Sequence, residues 1–222
     1  MEMRTTFHKK LREIQDDILA MGSMAGKAIL RSVDTLKDRD LEGAHHIIAD
    51  DQQVNNRRFA IEEKCIELIA TQQPMAVDLR TIVAILNIVT EIERIGDYAA
   101  GIGRVTILIG DEPPLKPLID IPRMAEKTAD MLRLSLQALV NRDIEAAKKI
   151  IAEDDFVDSL YDQIYRELLT FMVEDPRTIT RATRLMWVAH NLERSADRVT
   201  NICERVVFIV TGKMEEMGAS KY

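Results

Sequence analysis

The chain has 222 residues, of which 46% are hydrophobic and 30% charged, a balance typical of a folded globular protein. Its net charge of −7, without a dense basic surface, argues against nucleic acid as the main partner, because a phosphate backbone requires clustered Lys and Arg. So acidic a chain instead attracts cations or basic patches on other proteins. Aromatic residues make up only 5%, which favours helices over strands.

Six segments show apolar residues at helical spacing, and each is expected to form a helix. The predicted helices span residues 5–37, 40–72, 78–109, 120–141, 143–173 and 177–211. Asp40 and Asp143 are predicted N-caps of the second and fifth helices. Pro74 and Pro176 interrupt the two halves of the chain at similar places, and four of the six prolines cluster in residues 110–123, which predicts a linker.

The two halves of the chain resemble each other. DRDLE at residues 38–42 resembles NRDIE at 141–145, and ERIGD at 93–97 matches ERSAD at 193–197, an offset of 100 residues. Such an internal repeat predicts an all-α fold of six long antiparallel helices, which form two similar three-helix bundles or one elongated body of six helices. We place the N-terminal bundle at residues 1–112 and the C-terminal bundle at 113–222.

Nothing in the sequence indicates a membrane span or a disulfide. Residues 1–10 contain no apolar signal region, and no apolar run reaches membrane-spanning length. Cys65 and Cys203 are far apart and form no metal-binding spacing, so we expect reduced, buried thiols. We therefore expect a cytoplasmic protein without a transmembrane segment.

Each half carries a pair of carboxylates four residues apart on one helix: Glu93 with Asp97, and Glu193 with Asp197. Residues at this spacing are neighbours on the helix surface, and like charges there repel. Both pairs lie at the edge of the apolar stripe, where a bound cation or a basic neighbour would relieve the repulsion. One interpretation is an ordinary solvated flank neutralised by the arginine after each glutamate, but the duplicated register favours a metal site.

Further oxygen ligands are predicted on the helix before each pair. They are Asp51 with Asn55 in the first half, and Asp154, Asp158 and Asp162 in the second. If these helices face the paired carboxylates, each half has an all-oxygen groove that suits magnesium, manganese or iron and disfavours zinc. His190, three residues before Glu193, is interpreted as a flank residue rather than a ligand, and Trp187 as a core residue.

At these residues the chain resembles the PhoU family. The resemblance covers nearly the whole chain and rests on four blocks: QPMAVDLR at 73–80, EIERIGD at 91–97, EDPRTI at 174–179 and NLERSAD at 191–197. The second copy departs from ERIGD at Ser195 and Ala196, but both carboxylates remain in place. The resemblance implies two three-helix bundles, often in a homodimer, located in the cytoplasm beside the inner face of the membrane.

The resemblance also implies a function that the residues alone do not give. Members of the family link the ATPase subunit of a phosphate-specific ABC transporter to a phosphate sensor histidine kinase, and they hold phosphate uptake and the starvation response down. Some carry metal clusters on ExxxD pairs.

We therefore expect a non-enzymatic, metal-binding regulator of phosphate uptake. The alternative is a carboxylate-bridged di-iron redox enzyme in a helical bundle, which would require histidine ligands facing the carboxylates. A third reading is a bare helical adaptor whose carboxylates only solvate a groove.

Overall fold

Six long helices make up the protein, as predicted. The computed structural model describes residues 2–217, with side chains from Thr6 onward. The helices are α1 Glu2–Asp38, α2 Leu41–Gln72, α3 Val77–Ile109, α4 Asp120–Asn141, α5 Ile144–Glu174 and α6 Ile179–Thr211. A single 3-10 turn, Pro176–Thr178, precedes α6, and the described part of the chain contains no β-strand. Every predicted helix end lies within three residues of the observed one.

The helix caps repeat between the halves. Asp40 and Asp143 are the N-caps of α2 and α5, and each side chain accepts a hydrogen bond from a backbone N–H three residues later, at 2.8 and 3.0 Å. The residue before each cap, Arg39 or Arg142, has a positive φ of 57° or 53°. The same left-handed residue followed by an aspartate cap therefore turns the chain in both halves, which confirms the predicted N-caps.

The central helices α3 and α6 run antiparallel along each other. Asn191 of α6 lies against Gly101 of α3, while Arg198, further along α6, reaches back to Glu91 of α3 at 3.4 Å. The buried apolar side chains of both halves form one continuous cluster. Within residues 2–217, no helix has an apolar stretch long enough to cross a bilayer.

We propose that each half is nevertheless a folding unit, joined to the other through the proline-rich segment between α3 and α4. Residues 1–112, expressed alone, are expected to be soluble and strongly helical, because α1, α2 and α3 bury their apolar stripes against one another. The fragment should melt cooperatively, but at a lower temperature than the whole chain, because α3 loses its contact with α6. Circular dichroism on heating measures this, and a fragment that stays unfolded even with metal would contradict the boundary.

Candidate metal centre

Two grooves, one in each half, hold the paired carboxylates. Glu93 and Asp97 lie on α3 beside α2, and Glu193 and Asp197 lie on α6 beside α5. The glutamate side chains are only 13% and 12% exposed, so each pair stands at the edge of the core, as the apolar pattern predicted. Burial disfavours the charged form of a carboxylate and is the main cause of the raised pKa values of both glutamates.

In the first groove, α2 brings Asp51 to the carboxylate pair. Burial, and then the charge of Asp97, raise the pKa of Asp51, and Asp97 in turn raises the pKa of Glu93. Gly96 permits this approach, because a Cβ there would lie 3.0 Å from Oδ1 of Asp51. Asn55 donates a hydrogen bond to the other oxygen of Asp51 at 3.3 Å. The structure therefore places the predicted first-half residues together.

The first groove also contains its own cations. Arg58 donates a hydrogen bond from Nη1 to Oε1 of Glu93 at 3.1 Å, and its Nε lies 3.5 Å from Glu62. Arg104 lowers the pKa of Asp51. Sequence reasoning missed Arg58, although it follows Asp51 by seven residues and so lies on the same stripe of α2. In this half, arginine side chains supply part of the positive charge that the carboxylates require.

The second groove is less well neutralised. Burial, followed by the charges of Asp197, Asp158 and Asp154, raises the pKa of Glu193 to about 7. Arg194 opposes these effects and donates to Oδ2 of Asp197 at 2.7 Å. Of the predicted second-half ligands, all except Asp162 therefore lie close enough to Glu193 for their charges to raise its pKa.

At the position equivalent to Arg58 the second half has Tyr161, because residues of α5 follow their α2 counterparts by 103 positions in the aligned repeat. Burial is the main cause of the raised pKa of Tyr161, and the nearby charges of Glu193 and Asp162 add to it. A neutral phenol therefore replaces a guanidinium, and Glu193 has no counterpart of the Arg58 charge that lowers the pKa of Glu93.

His190 lies on the outer side of this groove. Its Nδ1 is 3.5 Å from Oε2 of Glu193, but burial and Arg194 lower the pKa of His190, so near neutral pH the ring is uncharged. It packs instead against Trp187 and Tyr161, with ring centroids 5.9 and 6.3 Å apart. Trp187 is 57% exposed, so the prediction that it belongs to the core was wrong. Its side chain lies on the side of α6 that faces away from the buried stripe.

The donor chemistry of both grooves fits a hard cation. Oδ1 of Asp51 and Oε2 of Glu193 are buried and accept no hydrogen bond. Such an oxygen has lost its contacts with water and has gained no hydrogen bond in their place. A bound cation would supply the missing interaction. Within residues 6–217, no three His, Cys, Asp or Glu side chains converge as a ready-made metal-binding group. A bound ion would therefore require these carboxylates to move toward one another.

Comparison with known proteins agrees with the repeat. The model of the PhoU domain matches residues 18–106 and 121–206. The phosphate-specific transport system accessory protein PhoU homologue of Clostridium acetobutylicum is 38% identical over 215 residues, which is 96% of this chain and 98% of that protein. The homologue of Aquifex aeolicus is 38% identical over 93% of both chains.

Solved structures show the same fold. The crystal structure of PhoU from Pseudomonas aeruginosa matches 93% of this chain and all of that chain, with a TM-score of 0.88 and 33% identity. The phosphate transport system regulatory protein PhoU from Streptococcus pneumoniae matches 95% of this chain and all of its own, with a TM-score of 0.88 and 27% identity. The two matching segments, the six helices and the near-complete coverage lead to one conclusion: the chain belongs to the PhoU family of phosphate-transport accessory proteins.

Proposed function

We propose that the protein is a cytoplasmic regulator of phosphate uptake and phosphate-starvation signalling that acts by docking. It contacts the ATPase subunit of a phosphate-specific ABC transporter and a phosphate sensor histidine kinase, at the inner face of the membrane and as a homodimer. The observation that supports this proposal is the family match over nearly the full chain, which includes relatives named as accessory proteins of phosphate-specific transport.

A role without catalysis agrees with the chemistry of the cysteines. Cys65 and Cys203 are buried and free, as expected from the sequence, and burial raises the pKa of both thiols to about 12. Because the thiolate is the reactive form, neither is poised as a nucleophile.

The di-iron alternative is less well supported. Carboxylate-bridged di-iron sites use a histidine from each of two helices. His190 borders the second groove, whereas Thr90 stands at its position in the first. One histidine in one half does not match a paired ligand set.

The carboxylate grooves are proposed to bind magnesium, manganese or iron ions. The first groove would use Asp51, Glu93 and Asp97, and the second Asp154, Asp158, Glu193 and Asp197. A bound ion would neutralise these carboxylates and so hold α2 against α3, and α5 against α6. In this way metal would stabilise the surface that partners meet, rather than supply a reaction.

Affinity capture tests the docking proposal. The tagged protein is expected to retain the purified transporter ATPase subunit, or the cytoplasmic domain of the sensor kinase, from the same organism. An unrelated acidic helical protein with the same tag is the control. If the tagged protein retains neither partner, the proposal is contradicted. So would phosphatase or ATPase turnover by the protein alone that disappears in Glu193→Gln.

A further inference from the structure

A cavity of about 290 Å³ lies where the proline-rich segment between α3 and α4 meets the ends of three helices. We name it the linker cavity. Its walls come from the end of α1 and the turn after it, the end of α3, residues 112–118 and the first two turns of α6. Ligand sites in proteins begin at about 300 Å³, so this cavity has room for a small ligand. None of the carboxylates assigned to metal binding is among its lining residues.

The walls of the linker cavity are largely apolar. Leu36 and Leu185, each 5% exposed, belong to the core, and Ile109 and Leu115 pack against it. Three further lining residues are prolines, whose rings fix φ and leave this wall few ways to collapse inward. Since water gains little from an apolar cavity, an apolar group that fills it is favoured by the hydrophobic effect.

Basic side chains line the same cavity, in a protein whose net charge is −7. They are Lys37, Arg39, Lys116 and Arg181. The acidic lining residue, Glu112, is paired with Arg184 at 3.5 Å. The linker cavity therefore carries a net positive charge and attracts anions.

Two of the four cations already have structural partners. Lys116 pairs with Glu167, and Nη1 of Arg181 donates a hydrogen bond to the carbonyl oxygen of Pro113 at 3.2 Å, so both hold the linker in place. In contrast, the side chains of Lys37 and Arg39 form no hydrogen bond or ion pair with any residue from 6 to 217. Their charges are free to pair with a ligand.

The repeat shows that these charges are not needed for the fold. Val140 stands at the position of Lys37, at the offset of 103 residues, and Thr81 stands at the position of Arg181, at the offset of 100. Both halves form the same helix ends, but only the end that holds the linker cavity has these two basic residues. They therefore serve this end of the molecule rather than the folding of a half.

We propose that the linker cavity binds a small anionic amphiphile, which is a carboxylate or phosphate group on one short apolar chain. The chain would lie against Leu36, Leu115 and Leu185, and the anionic group would pair with Lys37 and Arg39. At about 30 Å³ for each water-sized group, the cavity takes roughly ten non-hydrogen atoms, too few for a lipid with two acyl chains. This inference goes beyond the proposed docking function, because it requires neither the transporter nor the kinase.

Isothermal titration calorimetry on the full chain tests the proposal with octanoate, a carboxylate of matching size. Octylammonium has the same chain with the opposite charge, and acetate has the carboxylate without the chain. Octanoate should bind at least about tenfold more tightly than either, because it alone matches both the apolar walls and the cations. The proposal is wrong if octanoate does not bind, or if octylammonium or acetate binds equally well.

Matched variants locate the site. Lys37→Val/Arg181→Thr replaces each cation with the residue of the other half and should weaken octanoate binding by about tenfold or more. Lys9→Val/Arg12→Thr removes the same charges roughly 40 Å away along α1 and should leave the affinity unchanged. Leu115→Asp, which places a carboxylate in the apolar wall, should abolish binding. Circular dichroism checks that each variant folds, and unchanged affinity in the folded cavity variants would overturn the assignment.

Vesicle flotation distinguishes a free amphiphile from a membrane lipid. Phosphatidylglycerol vesicles should retain the wild type and Lys37→Val/Arg181→Thr equally, because a lipid with two acyl chains does not fit the cavity. If the vesicles retain the wild type and Lys9→Val/Arg12→Thr but not the cavity variant, the cavity binds a lipid headgroup. That result would contradict the assignment of a free ligand.

Discussion

Replacing Glu193 with glutamine is expected to stabilise the metal-free protein at pH 8 by up to about 3 kcal/mol. The pKa of this carboxyl rises from 4.5 to about 7 in the folded protein, mainly because of burial and Asp197. A carboxyl with a raised pKa binds more protons in the folded state than in the unfolded state. Its ionisation therefore destabilises the fold progressively as pH rises from 4.5 to 7, and the full cost is present at pH 8. Glutamine has the same shape and cannot ionise.

Thermal melting at pH 5 and pH 8 measures the effect. The melting temperature of the variant should exceed that of the wild type by up to roughly 10 °C at pH 8, and the two should converge toward pH 5. Glu93→Gln is the matched control. Its gain should be smaller or absent, because Arg58 already neutralises Glu93, at 3.1 Å. A difference that is the same at both pH values would show that Glu193 does not carry a raised pKa.

The helices were predictable because their signals are local. Asp40 and Asp143 cap helices through their own side chains, and Pro74 and Pro176 end helices by removing a donor. The carboxylate grooves were also predictable, since the i, i+4 spacing of Glu93 and Asp97 fixes their proximity once a helix forms. Because the repeat places Glu193 and Asp197 at the same spacing, the same prediction applied to the second half.

What the sequence left open depends on contacts between helices. Arg58 belongs to α2, and its pairing with Glu93 of α3 depends on how the two helices are rotated against each other. Trp187 was predicted to lie in the core, but the buried stripe of α6 passes through Val188 and Leu192 instead. The charge difference between the grooves therefore emerged only when both halves were compared in three dimensions.

That difference sets the expected pattern of metal binding. In the first groove a divalent ion at Glu93 and Asp97 would meet Arg58 and Arg104, whose charges oppose it. In the second groove Tyr161 replaces Arg58 and Asp158 replaces Asn55, so that four carboxylates share the charges of Arg194 and Arg198. At equal geometry, a hard cation should therefore bind the second groove more tightly.

The double variant Glu193→Gln/Asp197→Asn is expected to weaken manganese binding by about 100-fold or more at the second groove, since even outer-shell changes at metal sites cost 10–100-fold. Glu93→Gln/Asp97→Asn should remove only the weaker site and leave the fold intact. Arg58→Ala should strengthen that site by about tenfold, because a competing cation is lost.

Metal content after purification without chelators, and calorimetric titration with Mn²⁺, measure the number and affinity of the sites. If both double variants keep the wild-type stoichiometry, the carboxylate pairs are not the ligands; if Arg58→Ala binds no better, the arginine is not the reason why the grooves differ.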